Sequence, residues 1–344
     1  LATRARVEMI TVEQTEHAFY EARSVIRLLG MRRTMFAAPI DLARLIQSGA
    51  ASRLVAGERK RTTAMIAASG ITSDPATWLE ELEARTLEAV RSRGPSFTRD
   101  LTKVVPELAI RIVAGEGTRW AVPVGVSTRV LFLLALAGHI ARDRPRGNWT
   151  NSEHRWAPIQ QWAADGLGGA DHDFSQREIV RRWLYAFGPG TIEDLRWWTG
   201  WTLAEVRKCL KALEVSEVDL EGQSGYLLTK DLGPLPKPRS WISFLPALDS
   251  SPMGWKERDW YLGAHRNQLF DRSGNIGPTI WHNGRIIGGW AQRPDRRIGY
   301  RLLESVSSRI AKEVESEARA LQEWIGETKV TPRFRTPLEI ELGQ

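Results

Sequence analysis

SQREIVRRWLYAFGPGTIEDLRWWTGWTLAEVRKCLKALEVSEVDLEGQSGYLL, residues 175–228, holds the most ordered run of local signals in the chain. Ile179, Val180, Trp183, Leu184 and Phe187 recur at helical spacing, and the run stops at Gly188, Pro189 and Gly190, which predicts one amphipathic helix with a firm end. Thr191 caps a short second helix, answered by Asp194 three residues on, and Gly200 breaks that helix after Trp198. Thr202 and Glu205 spell a capping box ahead of a third helix. Its Leu203, Val206, Leu210 and Leu213 line one face, while Arg207, Lys208 and Lys211 lie off it. Residues 215–218 and 226–228 predict two short strands joined through a glycine-flanked loop.

Helix, helix, helix, hairpin is the order of a winged helix, and a cationic outer face on the third helix suits duplex DNA. Such modules also serve as protein-docking platforms, so repetition matters. A second copy opens at Asp74 and Pro75 with a long helix whose Leu79, Leu82, Leu87 and Val90 face inward, and Gly94 and Pro95 end it. Residues 96–108 predict its second helix, 109–115 a strand and the apolar run from Val126 its third helix. Residues 139–159 form its wing. The tip of that wing combines Arg142, Arg144 and Arg146 with Gly147 and Trp149, a mix suited to phosphate contact and groove insertion. Nearer the start, Thr11 and Gln14 make a capping box before a helix, and strands at 25–31 and 35–38 flank the turn Arg32, Arg33, Thr34. This is the closing half of another winged helix with a basic wing. Its first two helices have no room, so the expectation is that the chain is truncated at its N-terminus.

Composition sets outer bounds. In 344 residues, 48 Lys and Arg stand against 41 Asp and Glu, giving +7 and a pI near 9.7, a balance that favours polyanionic partners. Cys209 is the single cysteine, which excludes disulfides within the chain and cysteine-rich zinc sites and suits a reducing cytoplasm. The longest apolar run, residues 130–137, is too short to span a bilayer, so no membrane partner is expected. The six histidines show no metal-ligand spacing, and Asp171, His172 and Asp173 read as capping and turn residues. No phosphate loop, G-x-G-x-x-G or G-x-S-x-G element occurs, which argues against nucleotide-driven, dehydrogenase and acyl-transfer chemistry; no cofactor or metal is expected.

From Gly233 a proline-rich linker, GPLPKPRS, introduces a different domain. Residues 241–248, 275–292 and 298–303 predict strands, with Asn283 and Gly284 as a two-residue hairpin turn, and a long helix over 302–326 covers them. Residues 245–263 hold the densest polar and aromatic cluster, with Asp249, Trp255, Lys256 and Arg258 in a loop-like setting. There Asp249 suits an Asx-turn or a salt bridge, for instance to Arg258, better than a catalytic role. Trp149, Trp255 and Trp281 fall in loops or strand ends where an indole could stack on a base. The class is α+β: tandem winged helices over residues 1–70, 71–165 and 166–232, then a mostly-β, barrel-like domain with one long helix over 233–344.

Taken in order, MRRTMF at 31–36, VSTRVLFLL at 126–134, RGNWT at 146–150, TIEDLRWWTG at 191–200, FLPALD at 244–249 and GPTIWHNGRIIGGW at 277–290 resemble the AlkZ-like family, tandem winged-helix DNA glycosylases of bacteria. The resemblance runs over nearly the whole chain. It implies three winged helices and a C-terminal sheet domain around a basic DNA channel, and a monomer acting on double-stranded DNA with alkylated purines or interstrand crosslinks. It also implies hydrolysis of the N-glycosidic bond without a metal. The family places that chemistry on a Gln-x-Gln or Gln-x-Asp motif in its first winged helix, ahead of the segment matching residues 1–7. No such motif occurs here, so no catalytic residue is assigned. Either the motif belongs to the missing segment or this member has lost it; a non-enzymatic DNA-binding protein or transcriptional regulator is the alternative. A winged-helix scaffold for protein partners is the third reading.

Overall fold

The computed structural model describes residues 1–115, 121–236 and 238–344, so Lys237 of the linker lies outside the described residues. In chain order, α1 (Val12–Tyr20) precedes the hairpin β1 (Val25–Leu29) and β2 (Met35–Pro39). Next come α2 (Ile40–Ile46), a π-turn at Gln47–Ala51, α3 (Ser52–Ser69), α4 (Pro75–Arg93), β3 (Ser96–Phe97) and α5 (Thr98–Val104). β4 (Arg111–Ala114), β5 (Val122–Gly125), α6 (Val126–Leu136), β6 (Ile140–Pro145) and β7 (His154–Pro158) follow. Then come α7 (His172–Phe187), α8 (Ile192–Thr199), α9 (Leu203–Lys211), β8 (Val215–Leu220) and β9 (Gln223–Leu228). β10 (Ile242–Leu245), α10 (Asp259–Leu262), α11 (Arg266–Leu269), β11 (Thr279–His282), β12 (Arg285–Gln292), β13 (Ile298–Leu302), α12 (Ser308–Ile325) and α13 (Pro337–Leu342) complete the chain. It divides into two compact units, residues 16–183 with 199–213, and residues 1–15 and 184–198 with 214–344.

In the first of these units the core gathers on α6. Val130, Leu131, Leu133 and Leu134 pack with Leu79, Leu82 and Val90 of α4, Ile66 of α3 and Leu101 of α5. α4 starts where the sequence indicates, because the Asp74 carboxylate accepts from Thr77 N at 3.2 Å and Pro75 needs no amide partner there. β6 and β7 pair as a hairpin, with β3 added at the β7 edge. β4 and β5 form a separate hairpin; the sequence reading foresees β4 alone. In the β1–β2 hairpin, Gly30 N donates to Thr34 O at 2.9 Å, and Arg32 and Arg33 take positive φ values of 55° and 62°. Two non-glycine residues in the left-handed region store strain that the closed turn must hold.

The second unit is built on an antiparallel sheet in the order β10-β11-β12-β13. α12 covers one face, with Val314, Ala318, Leu321 and Ile325 on Phe244, Ile280, Ile287 and Trp290. Tyr261, Leu262, Leu269, Leu338 and Leu342 from α10, α11 and α13 pack with Trp281, Ile286 and Ala291. Burial on both faces explains why β12 reads as an unbroken apolar run. Asn283 and Gly284 turn β11 into β12 with positive φ, as the sequence indicates. The four strands remain a small open sheet, where the sequence reading expects a barrel-like domain. α12 begins at Ser308 rather than Leu302, because Ser307 caps it by accepting from Ile310 N and Leu302 is still paired in the sheet. In the same unit β8 and β9 extend to a two-residue turn at Glu221 and Gly222, shortening the expected loop.

Candidate nucleic-acid interface

The first basic turn is anchored from behind by one carboxylate. Arg33 Nη1 donates to Glu58 Oε1 at 2.9 Å, Arg61 Nη1 to the same oxygen at 2.6 Å, and Arg129 Nη2 to Glu58 Oε2 at 2.9 Å. Glu58 is 5% exposed, while the side chains of Arg33 and Arg61 are 49% and 57% exposed. Three positive charges against one negative leave a cationic surplus facing solvent. Burial alone would raise the Glu58 carboxyl; the Arg129 hydrogen bond and the charges of Arg33 and Arg61 outweigh it and hold the group below its ordinary value. Arg32 is exposed on the same turn.

In the β6–β7 hairpin Arg146, Gly147 and Trp149 lie in the loop, because β6 runs on to Pro145 and takes Arg142 and Arg144 into the strand. Arg146 is exposed and donates to Glu153 at 3.3 Å; Trp149 is half-buried. Arg144 donates to Glu16 at 2.7 Å and Glu21 at 3.3 Å, and its guanidinium sits 4.8 Å from the centre of the Tyr20 ring. Those acids already absorb part of its charge. Arg142 lies over the Trp156 ring at 5.6 Å. Arg27 on β1 donates to Asp143 O at 2.6 Å and lies over Tyr20 at 5.5 Å. Burial first, then the charges of Arg27 and Arg142, push the His154 imidazole down to about 4, so it is neutral at physiological pH.

Sequence reasoning missed Arg27, Glu58, Arg129 and Trp156. Arg129 had a signal, as the one charge inside the apolar run VSTRVLFLL. In the Glu58 cluster Arg61 lies three residues on, but Arg33 and Arg129 lie 25 and 71 residues away, so no spacing rule joins them.

Arg207, Lys208 and Lys211 of α9 are all exposed, as their place off the apolar face indicates. Lys208 Nζ bonds Asp173 at 2.6 Å, and the Thr202–Glu205 capping box forms in full. Asp171 accepts from Phe174 N at 2.7 Å, the capping role read for it. In the other unit, the Asp249 carboxylate is buried and held by Arg6 at 2.6 and 2.9 Å and by Ser251 N at 2.9 Å. It is thus a salt bridge and a turn residue, with Arg6 in the place suggested for Arg258. Arg258 is buried too, bonded to Trp255 O at 2.9 Å and lying 4.6 Å over Trp197. Lys256 is exposed, and Trp255 Nε1 donates to Phe187 O at 3.0 Å. Trp281 is core, stacked on Tyr261 at 5.2 Å. This cluster is structural: its carboxylate, guanidinium and indole groups are spent on one another and on the backbone.

A family model described as DNA glycosylase AlkZ-like matches residues 1–324. The chain belongs to the AlkZ-like DNA glycosylase family. It is 27% identical over 239 residues to an interstrand DNA cross-link repair glycosylase of Streptomyces sahachiroi, a match that covers 65% of this chain and 59% of that protein. The chain therefore spans about three fifths of the length of the curated relative it matches. The solved structure of the Streptomyces sahachiroi DNA glycosylase AlkZ superposes with a TM-score of 0.64 at 20% identity, over 91% of this chain and 82% of that one, which establishes a shared mixed α/β fold. Among the described residues no helix is long and apolar enough to cross a membrane.

Proposed function

We propose that this protein is a metal-independent monofunctional DNA glycosylase that works as a monomer on double-stranded DNA carrying alkylated purines or interstrand crosslinks. Family membership over residues 1–324 is the observation that carries the reading. The cationic surplus around Glu58 and the exposed Arg146, Arg207 and Lys211 supply the polyanion-binding surface such a substrate needs. Elements running helix, helix, helix, hairpin over residues 172–228 support a winged helix there, in a tandem over residues 1–70, 71–165 and 166–232 with a sheet domain over 233–344. In this reading Arg32, Arg33, Arg142, Arg144 and Arg146 address phosphates, Trp149 the groove, and Arg207, Lys208 and Lys211 the outer face of the third helix.

Alkylation at N7 places positive charge on the purine and makes it a good leaving group. The remaining task is to position a water and to stabilise positive charge developing on the sugar. No residue of this chain is assigned to either role. A non-enzymatic DNA-binding protein is the second reading, favoured by the absence of Gln-x-Gln and Gln-x-Asp from these 344 residues. Base release separates the two. The protein as its cell makes it is incubated with duplex DNA bearing N7-methylguanine, and alkali-labile breaks are counted. Release above the spontaneous rate supports the glycosylase; retained binding with no release supports the second reading.

A further inference from the structure

A cavity of about 240 Å³ opens between β1, α6 and the β6–β7 hairpin, within the unit that carries both wings. Its lining includes Arg27, Arg129, Arg142 and Trp156, over an apolar base that includes Leu131 and Ile140. Among the described residues no carboxylate lines it. Arg129 is held in place by Glu58 and by Thr62 Oγ1, which takes bonds from its Nε at 3.1 Å and its Nη2 at 2.9 Å. Arg27 is fixed by its bond to Asp143 O, yet its Nε is buried without a hydrogen-bond partner among the described residues. That is an unmet donor beside a cation-lined space. Ser127 and Thr128, also in the lining, belong to the first turn of α6, whose positive dipole end adds to the same potential. A neutral apolar ligand would leave the Arg27 Nε donor unmet, and a cation would be repelled by the guanidiniums that line the space. An anion that accepts hydrogen bonds meets that donor and suits the cationic lining.

We propose that this cavity seats one phosphate of a DNA strand, an inference that rests on the reading of the chain as a DNA-binding protein. The cavity is smaller than the roughly 300–1,000 Å³ of drug-sized sites, which suits one phosphate with its sugar rather than a whole ligand. Arg129 and Arg27 meet the anion already oriented by Glu58, Thr62 and Asp143, so ordering them costs little on binding. The site thereby fixes the register of a strand rather than reading its sequence.

Thr128 gives the test. It is exposed at the cavity, and a glutamate in the first turn of a helix is favourable to folding, so T128E adds a carboxylate to the site while leaving the three arginines and their bonds in place. T128Q is the uncharged control. Protein labelled with 5-fluorotryptophan is titrated with deoxyadenosine 5′-monophosphate and with deoxyadenosine, following the Trp156 fluorine signal assigned through W156F; duplex affinity is measured by anisotropy. The expected result is a saturable shift with the phosphorylated nucleoside only, reversed by duplex DNA. T128E should lose that shift and bind duplex about tenfold more weakly, with the salt slope reduced by about one, while T128Q behaves as wild type. A silent titration, or a T128E protein that matches wild type in both measurements, overturns the site. A nucleotide shift that duplex DNA fails to reverse, although the duplex binds, overturns the assignment to a DNA strand. If wild-type protein binds no duplex, the underlying DNA-binding reading has failed, and the nucleotide titration still reports on the cavity.

Discussion

Arg129 Nη2 stands 2.9 Å from Glu58 Oε2 and 2.9 Å from Thr62 Oγ1, so one guanidinium ties the first turns of α6 to the middle of α3. Through Glu58 the same tie reaches Arg33 on the first basic turn. A hairpin-turn residue, a buried acid and a helix cation thus share one set of bonds, and the acid is outnumbered.

Removing that acid should be costly. E58Q leaves three guanidiniums facing one another across an amide, and the loss should be about 1–3 kcal/mol, below the usual range for breaking a buried pair because Arg33 and Arg61 are half-exposed. Urea denaturation of E58Q and wild type at pH 7 measures it. The pH dependence has a definite sign: the folded carboxyl is held below its ordinary value, so its contribution is complete above the unfolded pKa of about 4.3 and fades as pH falls through the lower folded value. An E58Q protein as stable as wild type at pH 7 would contradict the arrangement.

His154 has an opposite kind of dependence. Its imidazole is held at about 4 against an ordinary 6.5, so over that interval the unfolded chain takes up a proton that the folded chain refuses. Stability should fall as pH drops from about 6.5 toward about 4, and H154Q should flatten that part of the profile. Ring-proton NMR titration showing His154 charged at pH 6 would rule this out.

Asp194 is nearly fully buried and accepts from Thr191 N at 3.0 Å, Thr191 Oγ1 at 2.8 Å, Lys256 N at 2.8 Å and Glu257 N at 3.0 Å. It is at once the answering cap of α8 and the anchor of the 256–257 backbone. D194A strands several donors and should cost about 2–4 kcal/mol. Thermal unfolding of D194A within a degree of wild type would refute that role.

Cys209 is 4% exposed, and burial pushes its thiol up to about 11. A neutral, covered thiol is a poor nucleophile. In folded protein at pH 8 it should react with a disulfide reagent far more slowly than in 6 M guanidinium; equal rates would mean that α9 opens readily.

What the sequence disclosed was mostly local. The caps at Thr11 with Gln14, Thr191 with Asp194 and Thr202 with Glu205 all form between residues three apart, which is why a linear reading finds them. The positions of the hairpins at residues 25–39, 140–158 and 279–292 were equally plain from strand patterning and turn chemistry. Long-range pairings were not. Asp249 finds Arg6 across 243 positions, and Glu58 finds Arg129 across 71, so no spacing rule points to either. β5 was missed because Val122–Gly125 is too short and too proline-bearing to read as a strand until β4 is seen beside it. Arg142 and Arg144 were read as wing-tip residues because the strand register that holds them in β6 is set by β7, fourteen residues on.

The proposal that the basic β1–β2 and β6–β7 hairpins meet duplex DNA is tested most directly by the salt dependence of duplex affinity in wild type, R146A and R144A. Arg146 is exposed with one weakly placed acid, whereas Arg144 is held by two acids and Tyr20. R146A should lower the slope of log affinity against log salt by about one unit, and R144A should lower it by less. Slopes identical in all three proteins would contradict the account.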